Sequence, residues 1–445
     1  MDRMFIRLAV FCFCAIFPAR LHAQDAIRDL VVKIHASQQG PDLLRPWTKS
    51  SPRQVKGSGV VIDGKRILTN AHVVKYASQI YVQPNQSANY IPARIDAIAP
   101  GIDLAILKLD DESFFDNRGS LSFAEELPRV KDTINVYGYP TGGTELSVTQ
   151  GIVSRIEYTD YYYQTTGLRI QVDAALNFGN SGGPAVSDGK LVGLVFSLIQ
   201  NAQNIGYLIP VEEIQLFLKD VADGVYDGKP QLNDLVQTVE NDALRQRLGL
   251  PKGINGVMVA QPYQDSPGYP LQEWDVITKI GDMPIDADGK VSIRYDLRLS
   301  ASYLVQKFAK NGLLPLTIYR DGRLIQVSLP VRYQRDLVIP FLMDKNPRYF
   351  IFGPFVFSQT TQDYLERLGN QPPPSLGRSP SPLVTRRFDK PTFENEELVV
   401  VASPQGRARW SWHAVADARL FTAGAAIDVW LVEDAGGRLS FAPLT

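Results

Sequence analysis

A chain of 445 residues with 46 Lys plus Arg against 47 Asp plus Glu has a formal net charge of −1. Without a basic excess it offers no electrostatic footprint for a polyanion, so no nucleic-acid partner is expected. A hydrophobic content of 44% suits globular cores, and the length allows several domains at about 100–200 residues each.

Residues 1–23 read as a secretory signal peptide. Arg3 and Arg7 form a positive start, residues 8–17 form an apolar run, and Leu21-His22-Ala23 offers a small-residue cleavage site. The run is short for a bilayer span, though an uncleaved anchor is the alternative. No later stretch is long and apolar enough, so no stable membrane insertion is expected after cleavage and the mature protein is expected to be periplasmic or secreted. Cys12 and Cys14 both lie in this segment. The mature chain then has no disulfide, no thiol nucleophile and no cysteine metal site.

From 25 to 223 short β-branched runs alternate with Gly, Pro, Asn and Asp, the texture of an all-β sandwich or barrel. Strands are predicted at 55–62, 79–82, 104–109, 133–137, 147–157, 169–172 and 191–198. A helix is predicted between Pro210 and Gly224. Ile214, Phe217, Leu218 and Val221 recur there at i, i+3, i+4 and i+7. Residues 224–230 read as a linker.

A second unit, 232–332, contains Gly256-Val257-Met258-Val259 and Val276-Ile277-Thr278-Lys279-Ile280. It closes on two strands joined at Arg320-Asp321-Gly322-Arg323, a hairpin signal. A third region, 333–445, is less regular and includes a Pro- and Ser-rich linker at 371–382.

Three strings carry chemistry. Leu68-Thr69-Asn70-Ala71-His72-Val73-Val74 comes first, then Gly101-Ile102-Asp103-Leu104-Ala105-Ile106-Leu107, then Asn177-Phe178-Gly179-Asn180-Ser181-Gly182-Gly183-Pro184. His, Asp, Ser is the chain order of chymotrypsin-type proteases. A serine hydroxyl attacks an amide only when a base takes its proton, and imidazole titrates near neutrality. Ser181 is the expected nucleophile, His72 the base and then acid, and Asp103 the carboxylate that orients the imidazole. Asp96, Asp110 and Asp111 are nearby, but Asp103 heads an apolar strand that can hold it toward a core. Gly179 permits a tight turn whose own N–H, with that of Ser181, converges on an oxyanion.

Those strings resemble the HtrA/Deg family of trypsin-like serine proteases with C-terminal PDZ domains. Gly57-Ser58-Gly59-Val60-Val61-Ile62, Tyr137-Gly138-Tyr139-Pro140 and Gly206-Tyr207-Leu208-Ile209-Pro210 extend the match over most of 25–220. The unit at 232–332 resembles the family's PDZ domain. Tyr349–Phe357 and Glu397–Val401 resemble the plant-type Deg branch, where a divergent second PDZ-like domain follows. The resemblance implies a mainly β protein: a chymotrypsin-like double β-barrel protease domain, a PDZ domain and a divergent or incomplete PDZ-like C-terminal region. It implies an ATP-independent serine endopeptidase that degrades unfolded or damaged proteins, and a homo-oligomer built from trimers. The sequence has no P-loop. Phe178 departs from the small residue or proline common beside the oxyanion turn. After Ser403 the pattern is lost, through a divergent ending or a shifted reading frame.

Ala175 lies six residues before Ser181, at the expected floor of the specificity pocket, where enzymes cutting after Lys or Arg need an acid. Cleavage after Val, Ala or Ile is therefore expected, with Phe196, Ser197 and Leu198 as candidate pocket walls. Ile254-Asn255-Gly256-Val257 is the candidate peptide-binding loop of the PDZ unit, expected to take substrate or regulatory peptides by strand addition. No metal-ligand string occurs, and no cofactor is implied. The competing reading is a proteolytically latent periplasmic chaperone or PDZ scaffold.

Overall fold

The computed structural model describes residues 26–198, 205–264, 267–352, 355–368, 382–393, 395–404, 429–433 and 439–443. The signal segment and residues 371–381 of the proposed linker lie outside them. The chain divides into two compact units. One runs to Ser37 and includes Gln54–Lys75 and Gln79–Gln334; the other comprises Gln38–Arg53, Tyr76–Ser78 and the chain from Arg335 onward.

Two closed six-stranded barrels dominate the first unit. The first consists of β1 (Val31–Gln38), β2 (Arg53–Ile62), β3 (Arg66–Thr69), β4 (Ala77–Gln83), β5 (Ile91–Ala99) and β6 (Leu104–Leu109), ordered β1-β2-β3-β6-β5-β4. The second consists of β7 (Thr133–Gly138), β8 (Ser147–Asp160), β9 (Thr166–Val172), β10 (Pro184–Ser187), β11 (Lys190–Leu198) and β12 (Gly206–Pro210), ordered β10-β11-β12-β9-β8-β7. Closure removes the unpaired strand edges that would otherwise invite aggregation. β6 reads Leu-Ala-Ile-Leu-Lys-Leu without alternation, and all but its lysine are buried. The seven strands expected from sequence all form, with ends extended by up to three residues.

The one-turn helix α1 (Ala71–Val74) follows β3, and α2 (Val211–Asp220) follows β12. Pro210 stands at the N-cap of α2, and Gly224, at φ 92°, closes the 3-10 turn after it. Ile214 and Phe217 are fully buried, as the periodicity requires. Glu213, which the apolar pattern passes over, is buried as completely.

Next comes the sheet β13 (Leu235–Thr238), β14 (Val257–Gln261), β15 (Val276–Ile280), β19 (Leu313–Arg320) and β20 (Arg323–Pro330), with β16 (Met283–Pro284) paired to β15. Hairpin β17 (Lys290–Arg294) and β18 (Leu297–Ser300) and helices α3 (Asp242–Arg247) and α4 (Tyr303–Phe308) complete it. Asp321 and Gly322 take φ 48° and 79°, the left-handed pair that a tight two-residue hairpin needs. The apolar core of the second barrel continues into this sheet. Val153, Leu168 and Ile170 share one cluster with Ile277, Leu299 and Tyr303, and the Tyr158 and Tyr303 rings meet edge-on at 5.8 Å.

In the second unit β21 (Tyr349–Phe352), β22 (Phe355–Gln359) and β23 (Val399–Pro404) form a small sheet, with α5 (Gln362–Arg367) and α6 (Pro382–Thr385) nearby in sequence. Val338, Ile339 and Leu398 make its core with Leu365 and Leu383. Buried Gln362 is held by its own amide, which donates to the Ile339 and Arg387 carbonyls at 3.0 and 2.7 Å. Beyond Pro404, β24 (Val429–Glu433) and β25 (Leu439–Pro443) pair antiparallel. Among the described residues no helix is long and apolar enough to cross a membrane.

Candidate active site

β3 delivers His72. The strand ends at Thr69, and Asn70, with an extended backbone, is the N-cap of α1 and places His72 on its single turn. The Asn70 side chain does not cap the helix; its Nδ2 donates to the Asp103 carbonyl at 3.0 Å. Asp103 precedes β6 at φ 58°, a left-handed conformation uncommon for a residue with a Cβ and costly unless its surroundings hold it. They do. Asp103 Oδ1 accepts from the His72 backbone N–H at 2.8 Å, and Oδ2 lies 2.6 Å from Nδ1. The carboxylate is 2% exposed and the imidazole 40%. A buried carboxylate thus grips one edge of the ring, while the ring itself reaches the surface.

Ser181 arrives from the second barrel, just before β10. Gly179 has φ 97°, and a Cβ there would stand 2.3 Å from the Tyr139 carbonyl oxygen. Only glycine fits. Thr141 N–H donates to the Phe178 carbonyl at 2.6 Å, and Gly183 N–H donates to the Asn180 carbonyl at 2.9 Å. In a trans peptide the N–H points opposite to its C=O. The Gly179 and Ser181 N–H groups are therefore turned away from those two contacts, and neither donates to a protein acceptor among the described residues.

The two barrels meet at this turn. Ser58 N–H of β2 donates to the Ser181 carbonyl at 2.8 Å. A Cβ on Gly182 would lie 2.4 Å from Thr69 Oγ1 and 3.2 Å from Asn70 N, so glycine lets the serine turn lie against the segment that carries His72.

The expected specificity residues divide. Ala175 is exposed, while Leu176 beside it packs within contact distance of the Gly206 α-position. Phe196 is buried under Tyr161 and Tyr162, at ring separations of 5.0 and 5.7 Å, with the Arg169 guanidinium 5.3 Å from its centre. Burial pushes the Tyr161 phenol well above its ordinary value, so the phenol stays neutral and Arg169 is the charged group of this cluster. Ser197 and Leu198 pair with Tyr207 and Gly206 across β11 and β12; their side chains lie outside the description.

Beside the sheet of β13 to β20, Arg245 of α3 donates to the Ile254 carbonyl at 2.8 Å and to Asn255 Oδ1 at 3.2 Å. Gly256 is buried against the Ile277 carbonyl, and Val257 begins β14. Much of the polar capacity of this loop is therefore used internally. Among the described residues β13 pairs on one side only, with β14.

Ser58 and Thr141 were missed by sequence reasoning. Ser58 sits in a string that resembled the family and Thr141 directly follows another, but nothing in their residue types announces the bonds they make.

Two closed barrels, with a His–Asp pair on one and a serine turn on the other, define the chymotrypsin-like double-barrel class. The trypsin-like peptidase domain family matches residues 57–194, and a PDZ domain family matches 338–403, within the region read as a second PDZ-like unit. Protease Do-like 4, mitochondrial, of Arabidopsis thaliana is 38% identical over 339 residues, 76% of this chain and 65% of that protein. Putative protease Do-like 13 of the same plant is 35% identical over 75% of this chain and 69% of its own length. The chain belongs to the Do-like, or HtrA/Deg, serine protease family, in its plant-type branch. It spans 65%, 63% and 62% of the length of the Do-like 4, 2 and 3 proteases, whose names place them in mitochondria or chloroplast. The solved structure of the HtrA-type protease AlgW with tripeptide shares the fold at a TM-score of 0.55 and 23% identity, covering 70% of this chain and 96% of that one.

Proposed function

We propose that the protein is a serine endopeptidase acting through an acyl-enzyme, with Ser181 as nucleophile, His72 as general base then acid, and Asp103 as orienter. The observation that carries this is the two-point grip of Asp103 on His72. With Oδ2 accepting from Nδ1, the ring proton is fixed on Nδ1 and Nε2 keeps the lone pair that takes a hydroxyl proton. The Ser181 oxygen then adds to the substrate carbonyl. The new oxyanion meets the Gly179 and Ser181 N–H groups, and Nε2 returns its proton to the leaving amine. A second addition, by water, releases the acyl group. A latent chaperone or scaffold would need none of this arrangement.

Finer features belong to the same reading. The absence of an acid at Ala175, with the Arg169 guanidinium against the Phe196 ring, disfavours a basic residue before the cut and favours cleavage after Val, Ala or Ile. No P-loop points to ATP independence, and unfolded or damaged proteins are the inferred substrates. The PDZ-type units bind substrate or regulatory peptides, with Ile254–Val257 and the open edge of β13 as candidate contacts. The proposed assembly is a trimer-based homo-oligomer. The proposed address is the periplasm or the exterior, reached through residues 1–23; the organellar names of the relatives make fractionation of the expressing cell the direct check.

The test is labelling of the purified chain by a fluorophosphonate, with a permanently unfolded protein added, beside Ser181→Ala. Labelling lost in the variant is expected. Equal labelling of both, or of neither, would defeat the reading.

A further inference from the structure

Ser58 is fully buried at the junction of the two barrels, and its hydroxyl is committed twice. Oγ donates to the Gly179 carbonyl at 2.8 Å and accepts from the Tyr139 N–H at 2.9 Å. Its carbonyl accepts from Thr69 Oγ1 at 2.8 Å, three residues before His72, and its N–H donates to the Ser181 carbonyl at 2.8 Å.

These bonds fall on consecutive peptides of the serine turn. The peptide before Gly179 is set by Thr141 N–H, and the peptide before Ser181 by Gly183 N–H. Those two peptides carry the oxyanion donors. The peptide between them is set by Ser58 Oγ on its carbonyl and by its own N–H, which donates to Asn177 O at 3.1 Å. A chain of three peptides keeps two N–H groups convergent only if the middle one cannot rotate, because each C=O and N–H turn as one plane. Ser58 also acts on the first peptide indirectly: by holding Tyr139 N–H, it places the segment that presents Thr141.

We infer that the Ser58 hydroxyl is the positioning residue of the oxyanion turn, holding the Gly179 and Ser181 donors in register with the His72 segment. It touches neither substrate nor the reacting atoms. The inference rests on the serine endopeptidase reading above and names a determinant of that same site.

The experiment compares the full chain with Ser58→Ala and Ser58→Thr. It reads the fluorophosphonate labelling rate, kcat and KM on an aliphatic peptide, and affinity for a peptide boronic acid, whose tetrahedral adduct uses the same donors. Loss of one oxyanion donor costs roughly 100- to 1,000-fold in kcat. Loss of a group that only positions the donors is expected to cost less, on the order of ten-fold in labelling and in boronate affinity, scaled to a hydrogen bond. KM should stay unchanged, and Ser58→Thr, which keeps a hydroxyl, should recover most of the rate. A purely structural role would lower the melting temperature but leave the folded fraction's rate and boronate affinity intact; that result overturns the inference. If Ser58→Ala does not fold, Ser58→Cys, which nearly keeps the side-chain volume but weakens both hydrogen bonds of the hydroxyl, should give the same split between kcat and KM; an unaltered kcat and boronate affinity there also overturn the inference. Failure of the parent reading looks different: the unsubstituted chain itself would not label.

Discussion

The buried pair between Glu213 and Lys229 gives the sharpest stability prediction. Glu213 lies in the first turn of α2 and Lys229 in the segment read from sequence as a linker. Their side chains are 0% and 6% exposed and meet at 2.6 Å. Glu213 Oε1 also accepts from Leu168 N–H at 2.8 Å and from Gln306 Nε2 of α4 at 3.2 Å. The carboxylate thereby joins β9, α2, the connecting segment and α4. Replacing Lys229 by Met keeps most of the aliphatic stem and removes the charge, leaving a carboxylate in an apolar core with amide donors only. Breaking one side of such a pair costs about 3–5 kcal/mol. At about 2–4 °C per kcal/mol for a domain of some 150–250 residues, the melting temperature should fall by roughly 10 °C. The assay is thermal unfolding at pH 7, followed by circular dichroism. Adding Glu213→Gln to Lys229→Met removes the stranded charge yet keeps an oxygen for Leu168 N–H, so more than half of the loss should return. A single variant that melts within about 2 °C of the parent would refute the reasoning, since an uncompensated buried charge cannot be that cheap.

Three further outcomes are expected. Asp103→Asn should lower kcat by about four orders of magnitude with the fold intact, because the amide favours the wrong imidazole tautomer; steady-state peptide hydrolysis reads it. Gly179→Ala places a Cβ where the Tyr139 carbonyl already stands and should cost labelling about 100-fold or more, with far-ultraviolet circular dichroism unchanged. Glu396 has its carboxyl held at about 2 by hydrogen bonds from Arg386 and Thr392, against a usual value of 4.5. Its folded pKa is depressed, so its contribution is full above about pH 4.5 and is lost as pH falls toward 2. Unfolding of the second unit followed across that window should show an acid slope that Glu396→Gln reduces.

Much of this architecture is legible without coordinates, for a local reason. Strand periodicity, the Pro210 and Gly224 boundaries of α2 and the Asp321-Gly322 turn depend on neighbours within a few residues, and each stands where the residue types place it. The His72, Asp103 and Ser181 strings are legible because their chemistry demands particular residues in a particular order. Glu213 was not legible: on a helix whose apolar face is Ile214 and Phe217, an adjacent glutamate reads as solvated until a lysine sixteen residues on is found against it. The candidate loop at Ile254–Val257 shows the converse, since its sequence gives no sign that Arg245 already holds its oxygens.

The sequence by itself determined the family, the barrel texture and the reactive residue types, because these follow from composition, periodicity and short motifs. Only the tertiary structure decided that Asp103 meets His72 at two points, that Gly179 is pressed against Tyr139, and that one hydroxyl on Ser58 ties the two barrels at the serine turn. Those contacts join residues 31 to 121 positions apart, and no local pattern encodes a hydrogen bond whose partner is supplied by another barrel.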